Sequence, residues 1–127
     1  MKHMKASDIM VEDVVTVDRD ALLPDVAARM IKHRISGMPV LDDKQTLVGV
    51  IASRDLMAYV PSEKFQSTRV ADVMVRNVLA FSPDTPLSSI VNSFANRGVG
   101  RVPIVEKGTL VGIICRREIL AEVLDAG

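Results

Sequence analysis

The hydrophobic and polar positions of the chain follow one pattern that occurs twice. In the middle of each pattern, apolar residues recur at i, i+3, i+4, i+7 and i+8, which predicts an amphipathic helix that buries one face. The two stripes consist of Leu23, Val26, Ala27, Met30 and Ile31, and of Leu87, Ile90, Val91, Phe94 and Ala95.

Short runs rich in β-branched residues flank each stripe and predict strands. A brief strand precedes each helix, and a pair of strands joined by a polar hairpin loop follows it. The loops are 42–45 and 106–108, and the strands are 14–17, 37–41 and 47–52 in the first half and 78–81, 101–105 and 110–115 in the second. Pro39 and Pro103 lack a backbone donor, which is tolerated at a sheet edge.

The starts of the two central helices are marked differently. Thr85 followed by Pro86 predicts an N-cap and a first helical residue. In the first half, Ala21 has no side chain that can cap, whereas Pro24 fits an opening turn.

The two halves are an internal repeat. Asp8 and Asp72 open them at an offset of 64 positions, which falls to 63 between Gly49 and Gly112 because the second loop is one residue shorter. Each half reads β-α-β-β-α, so the fold class is α/β of the α+β type. We expect repeat 1 at 6–60, a polar linker at 61–69 and repeat 2 at 70–125. Since domains much below ~60 residues are marginal alone, the repeats are expected to pack together with pseudo-twofold symmetry.

Composition excludes several partners. Sixteen basic and sixteen acidic residues give no net charge, and only 3% of the residues are aromatic, so neither nucleic acid nor an anionic membrane is an expected partner. The single cysteine, Cys115, cannot form an intramolecular disulfide, and no stretch resembles a signal peptide or a membrane span. A cytoplasmic location is expected.

The most informative stretch is Leu47–Met57, where a buried strand breaks into Ser-Arg-Asp at a helix start. Helix N-termini offer unpaired N–H groups, and a carboxylate accepts two hydrogen bonds from a diol. Asp55 is therefore the first candidate for a ribose ligand, and Glu118 stands at the equivalent position when the stretch occurs again. Alternatively, each acid only stabilises the helix dipole.

The sequence shows no set of residues that could catalyse a reaction. The chain has neither a Gly-x-Gly-x-x-Gly nor a Walker motif. No His or acid is placed to activate Cys115, which fits a small buried side chain better than a nucleophile. The histidines and Cys115 lack metal-ligand spacing. We expect no enzyme activity, no metal and no required cofactor.

The same motifs occur in the same order in both repeats, and together they resemble a pair of cystathionine-β-synthase (CBS) domains, which is called a Bateman module. The resemblance rests on three features of each repeat: the Asp-Ile-Met and Asp-Val-Met openings, the Gly-Met-Pro-Val and Arg-Val-Pro-Ile strands, and the Gly-h-h-x-x-Arg-Asp and Gly-h-h-x-x-Arg-Glu ends, where h is hydrophobic. It covers the chain from Asp8 to about Leu124.

This resemblance implies a regulatory module that binds AMP, ADP or ATP, or a relative such as S-adenosylmethionine or NAD, in clefts between the repeats. In the family, a Ser/Thr-x-x-Asp segment holds the ribose. The Asp position falls on Asp55 and Glu118, whereas the Ser/Thr position falls on Ala52 and Cys115, and Ser53 lies one residue late.

A phosphate-contacting Arg often stands two residues before the strand proline in this family, which here is Arg101, with Gly37 in the first repeat. The two clefts are therefore expected to be unequal, and a ligand on Asp55 and Arg101 would bridge the repeats. The remaining phosphate candidates are Arg54, Arg116, Arg117 and His33, all of which alternatively read as solvated charges. The base pocket candidates are Val17, Met38, Pro39, Val102 and Pro103.

Two further expectations concern assembly. The chain has little to cover the apolar helix faces that are formed by Leu56, Met57, Ile119 and Leu120, which predicts a homodimer. An unidentified regulated protein is a further expected partner. Alternatively, the departures at Ala52 and Cys115 abolish binding, and the chain is a ligand-free dimerisation and assembly domain.

Overall fold

The computed structural model describes residues 3–126, the side chain of Ala126 excepted. In chain order, the elements are α1 Ala6–Ile9, β1 Val17–Asp18, α2 Leu23–His33, β2 Gly37–Leu41, β3 Leu47–Ala52, α3 Ser53–Met57, α4 Leu87–Arg97, β4 Arg101–Glu106, β5 Thr109–Cys115 and α5 Arg116–Ala126. Mixed helices and small sheets confirm the α+β class. No helix among the described residues has the length and hydropathy needed to cross a membrane.

The chain divides into two compact units whose boundaries differ from those of the sequence repeats. The continuous unit is Val15–Val78. The split unit combines the described residues up to Val14 with those from Leu79 onward. Consequently, the segment that opens repeat 2, Asp72–Val75, lies in the continuous unit, whereas the segment that opens repeat 1, Asp8–Val11, lies in the split unit.

The sheet of the continuous unit has the strand order β1-β2-β3, with β1 parallel and β3 antiparallel to β2. Val75 adds a bridge on the far side of β3, where it exchanges backbone hydrogen bonds of 3.0 and 2.8 Å with Val50. The prediction that Pro39 lies on an edge strand is wrong, because β2 is central. The missing donor is tolerated since β1 pairs with β2 only at Val40 and Leu41, beyond the proline.

The core of the continuous unit forms under α2. Leu23, Val26 and Met30 are buried as the stripe predicts, and they pack with Met38, Val40 and Ile51 of the sheet. Ile31 was expected on the same face but is 79% exposed. It lies at the margin of the stripe, close to the helix end at His33.

The sheet of the split unit pairs β4 with β5 in antiparallel fashion. Phe81 bridges to Ile104 on one side and Val11 to Ile113 on the other, positions equivalent to the β1 and Val75 contacts of the continuous unit. The core contains Leu87, Ile90, Val102, Ile104, Ile114 and Ile119, together with Ala6 from α1. Ala95, the last residue of the second stripe, is exposed instead.

The segments that open the two repeats, Asp8–Val11 and Asp72–Val75, each contact a glycine in a strand closely. A Cβ at Gly112 would lie 2.6 Å from Sδ of Met10, and a Cβ at Gly49 would lie 2.8 Å from Sδ of Met74. Since real Cβ atoms do not tolerate such contacts, glycine at these positions is what lets the methionines pack on the sheets.

Three local predictions need correction. The Thr85 hydroxyl bonds to the backbone N–H of Ser82 at 3.1 Å rather than capping α4, which begins at Leu87 after Pro86. Only Val17 of the predicted 14–17 strand is in β1, and of 78–81 only Phe81 forms a bridge.

The connections match their predictions to different degrees. Both hairpin loops are confirmed, with positive φ at Gln45, Lys107 and Gly108. The polar segment 61–69 is more ordered than a plain linker, because it contains a 3₁₀ helix, Glu63–Gln66, and its Phe65 packs against the core of the continuous unit.

Candidate functional site

Each unit contains one abrupt junction between a strand and a helix. β3 ends at Ala52 and α3 begins at Ser53, whereas β5 ends at Cys115 and α5 begins at Arg116. No residue separates strand from helix at either junction, so the third residue of each helix, Asp55 or Glu118, lies beside the last residue of the strand.

The acids at these third positions make equivalent hydrogen bonds. Asp55 Oδ2 accepts from the backbone N–H of Ala52 at 2.8 Å, and Glu118 Oε1 accepts from that of Cys115 at 2.7 Å. This is one half of a capping box. Ala52 and Cys115 have no hydroxyl to complete the other half.

The junction in the continuous unit is weakly charged. Gly37 lies opposite Ala52 across the β2 and β3 ladder, and the backbone N–H of Ser53 donates to the carbonyl of Ser36 at 2.8 Å. Ser53 and Asp55 are half-buried, whereas Arg54 is exposed. His33, the last residue of α2, is also exposed.

The junction in the split unit is rich in arginine. Arg101 lies opposite Cys115 across the β4 and β5 ladder. Arg116 donates from Nη2 to the carbonyl of Val99 at 3.3 Å. Arg117 is 91% exposed and places Nε 3.9 Å from Oε2 of Glu118, whose side chain is 17% exposed.

The thiol of Cys115 is held in its protonated form. Burial raises the pKa of Cys115, and the negative charge of Glu118 adds to this rise. Arg101 and Arg117 oppose it with smaller effects. A thiol with a raised pKa is a poor nucleophile at neutral pH. Cys115 was expected to be buried but is only half-buried.

The candidates for a base pocket are all buried. The side chains of Val17 and Met38 belong to the core of the continuous unit, and that of Val102 to the core of the split unit. Pro39 and Pro103 alternate with these core residues along their strands, so their rings lie on the other face of the sheet, and that of Pro39 is fully buried. Val17, Met38 and Val102 therefore have only backbone atoms to offer a ligand.

The candidate residues fall into two groups. Arg101, Arg116, Arg117 and Glu118 come together in the split unit, whereas Ser53, Arg54, Asp55 and His33 belong to the continuous unit. Asp55 and Arg101 thus lie in different units. The contact between Arg116 and Val99 was not predicted from the sequence. The one sequence feature that is consistent with it is Gly100, which has no side chain where the Arg116 guanidinium lies.

No metal centre is formed within residues 3–126, because no three His, Cys, Asp or Glu side chains there are placed to hold an ion.

Two repeats with an acid at each strand-to-helix junction define a tandem-repeat module. A family model, the CBS domain, matches this chain at residues 6–62 and again at 70–125. The chain therefore belongs to the CBS domain family.

Known relatives carry the same region within longer proteins. The chain is 36% identical over 118 residues to inosine-5′-monophosphate dehydrogenase of Methanocaldococcus jannaschii, and this aligned region covers 91% of the chain. It spans 23% of that enzyme's length and 24% of the length of the related homoserine O-acetyltransferase of Methanohalobium evestigatum.

Solved structures establish the fold. The CBS domain pair of protein MJ0100, in complex with 5′-methylthioadenosine and S-adenosyl-L-methionine, matches with a TM-score of 0.85 at 23% identity over 98% of both chains. CBSX2 in complex with AMP matches with a TM-score of 0.86 at 24% identity, covering 96% of this chain and 97% of that one.

Proposed function

We propose that the chain is a regulatory module that binds an adenosine-containing ligand at its strand-to-helix junctions. The observation that carries the proposal is the pair of equivalent carboxylates, Asp55 and Glu118, each fixed by one backbone hydrogen bond beside the end of a strand. The complexes of similar CBS pairs with AMP and with S-adenosyl-L-methionine and 5′-methylthioadenosine support an adenosine-type ligand.

A ribose diol fits the free edge of these carboxylates. One oxygen of Asp55 is occupied by Ala52, and among the described residues the other oxygen accepts no hydrogen bond. A carboxylate has about four lone-pair positions, so it can hold a backbone N–H and a diol together. Ser53 adds a hydroxyl in the continuous unit. Glu118 is the less suited of the two acids, because Arg117 approaches its second oxygen.

The other candidates divide between base and phosphate. Backbone atoms of Val17, Met38 and Val102, with the rings of Pro39 and Pro103, would contact the base. Phosphate would meet guanidinium groups, since their planar fork matches phosphate oxygens. The candidate arginines are Arg54, Arg101, Arg116 and Arg117, with His33 as a weaker candidate.

Regulation, rather than catalysis, is the proposed role. The family match covers 6–62 and 70–125, and the similar dehydrogenase and acetyltransferase extend far beyond the matched region. We propose that ligand binding here adjusts the activity of a protein partner. A ligand can change the activity of such a partner only as far as it binds one arrangement of the module more tightly than another.

A thermal-shift panel tests the proposal. The protein is heated alone and with adenosine, AMP, ATP, NAD or S-adenosylmethionine. A ligand at 100 times its Kd adds about 2.7 kcal/mol to the free energy of unfolding, so at least one member should raise Tm. The variant Asp55→Asn with Glu118→Gln keeps the local acceptors and should lose that rise. No rise with any member favours the ligand-free assembly domain.

The second candidate function is assembly as a homodimer. Leu56 and Ile119 were expected on the uncovered helix faces, but they are buried in the cores of their units, so this proposal rests on the apolar side chains that are exposed. Met57 and Leu120 occupy equivalent positions in α3 and α5 and are 59% and 63% exposed; Val60 and Val123 are equivalent too, at 54% and 49%. We propose that a second copy covers these faces. This assembly is compatible with ligand binding.

A further inference from the structure

The two junctions carry equivalent acids but different basic residues. The offset between the repeats aligns Arg101 with Gly37 and Arg116 with Ser53. Arg117 has a counterpart in Arg54. The split unit therefore has two arginines at positions where the continuous unit has none.

Arg116 is held in place although its side chain is exposed. Its Nη2 donates to the carbonyl of Val99, and its guanidinium lies over Gly100, where an added Cβ would be 3.4 Å from Nη1. One carbonyl uses one of five donors. The remaining donors are available beside the start of β4, the strand that Arg101 begins.

Arg101 lies at the same end of the sheet. It pairs with Cys115, the residue whose backbone N–H binds Glu118. Its charge also lowers the pKa of the Cys115 thiol, against the larger effect of burial, which is consistent with a guanidinium close to that thiol. The three guanidinium groups of Arg101, Arg116 and Arg117 against the one carboxylate of Glu118 give this junction a formal charge of +2.

The continuous unit lacks this arrangement. Gly37 and Ser53 carry no charge, and Ser53 is tied to Ser36 through the backbone. One guanidinium, Arg54, and one carboxylate, Asp55, cancel. The basic residues at the end of α2, Lys32 to Arg34, are exposed, and no hydrogen bond or ion pair of their side chains is found within the described part of the chain.

We infer that the two junctions take ligands of different charge: the split unit binds an adenosine polyphosphate through Arg116 and Arg101, whereas the continuous unit binds an adenosine ligand with little or no net negative charge. This inference rests on the proposed function, since both ligands are held at the acids described above. It makes Arg116 a specificity-determining residue.

The chemistry of phosphate supports this division. Each further phosphate adds negative charge and acceptor oxygens, which guanidinium groups meet with charge-assisted hydrogen bonds. An adenosine that lacks phosphate gains nothing from Arg116. At the junction of the continuous unit, Asp55 balances the charge of the one guanidinium, Arg54, so a polyphosphate would lose its hydration with less compensating positive charge, which disfavours it.

Calorimetry with adenosine, AMP and ATP on the full chain separates the two junctions. The variant Asp55→Asn leaves the split unit to bind, and Glu118→Gln leaves the continuous unit. In the Asp55→Asn background, ATP should bind at least about 10-fold more tightly than adenosine, the ratio that one charged hydrogen bond provides. In the Glu118→Gln background, ATP should bind no more tightly than adenosine.

Substitution of Arg116 then identifies the source of the preference. Arg116→Ser, which copies Ser53, should weaken ATP about 10-fold or more in the Asp55→Asn background and leave adenosine unchanged. Arg97→Ser, an exposed arginine at the end of α4 in the same unit, is the matched control and should retain the preference. Circular dichroism checks that each variant is folded.

The outcomes distinguish this inference from the proposed function. If the parent protein binds none of the three probes, the proposed function fails. If it binds them but both single-junction variants prefer ATP equally, or if Arg116→Ser weakens adenosine as much as ATP, only the charge division is overturned. An equal loss for Arg97→Ser would also overturn it, because general charge rather than Arg116 would then set the preference.

Discussion

At the scale of single residues, the junction acids serve structure before any ligand arrives. Asp55 and Glu118 each satisfy the N–H of the residue that ends a strand, so each carboxylate is already oriented. Ala52 offers no side-chain partner to Asp55, whereas Glu118 also has the Cys115 thiol and Arg117 beside it. The dipole interpretation and the ribose interpretation of these acids are therefore compatible.

The end of α2 contains a strained residue that the equivalent helix avoids. Arg34 has φ 55° and ψ 45°, whereas Gly98 occupies the same position after α4 with φ 66°. Because a left-handed conformation disfavours residues with a Cβ, Arg34→Gly should stabilise the protein by about 0.5–1 kcal/mol. Urea denaturation measures this, with Gly98→Ala as the opposite, destabilising change. A loss of stability in Arg34→Gly would contradict it.

Cys115 provides a prediction for pH dependence. Because its pKa is raised in the folded protein, alkylation by iodoacetamide should begin at a higher pH than for a free thiol, near 8.5. Glu118→Gln removes a charge that raises the pKa, so its alkylation profile should shift to lower pH. The thiol favours the folded state below the ordinary thiol pKa, and this contribution is lost as pH rises through the folded value. Identical profiles for parent and variant would contradict the assigned role of Glu118.

At the scale of elements, most of the architecture follows from periodicity. The helical stripes gave α2 and α4, and the apolar runs gave the hairpins, because a buried face must repeat with the period of its element. Two local signals failed for different reasons. The Thr85 hydroxyl is used within a turn, by the backbone N–H of Ser82 three residues earlier, and the 14–17 run has a partner strand only at its end. The acids were predictable from the strand-to-helix pattern, whereas the contact of Arg116 depends on chain segments far apart in sequence.

The segment that opens repeat 2 belongs to the continuous unit, and the segment that opens repeat 1 belongs to the split unit. This assignment predicts which fragment of the chain folds. The fragment 15–78 contains Val70 and Met74, which are buried in its core, and Val75, which pairs with Val50. The fragment 6–69 has the same length but replaces them with residues whose partners it lacks. Far-UV circular dichroism and urea denaturation should therefore show more structure and a higher midpoint for 15–78.

Equal stability of the two fragments would contradict the assignment of these segments to the units. The comparison controls for length, so a difference cannot arise from the greater marginality of shorter chains.

At the scale of the whole molecule, the exposed apolar positions of α3 and α5 predict the oligomeric state. Light scattering at tens of micromolar, the order of common interface affinities, should give a dimer. Leu120→Asp or Met57→Asp should shift it to a monomer, because a buried charge without a partner disfavours the interface. Lys44→Asp in an exposed hairpin is the control. A monomeric parent protein would contradict the proposed dimer.

Binding of adenosine-type ligands through the junction acids is the central claim, and calorimetry of AMP with the parent protein, Asp55→Asn, Glu118→Gln and the double variant tests it most directly. Asp55→Asn and Glu118→Gln should each weaken binding at their own junction by roughly 1.5 to 3 kcal/mol, the range for a hydrogen bond to a charged group. The effect of Glu118→Gln should be the smaller, and the double variant should lose both sites. A double variant that binds AMP as tightly as the parent protein would contradict the claim.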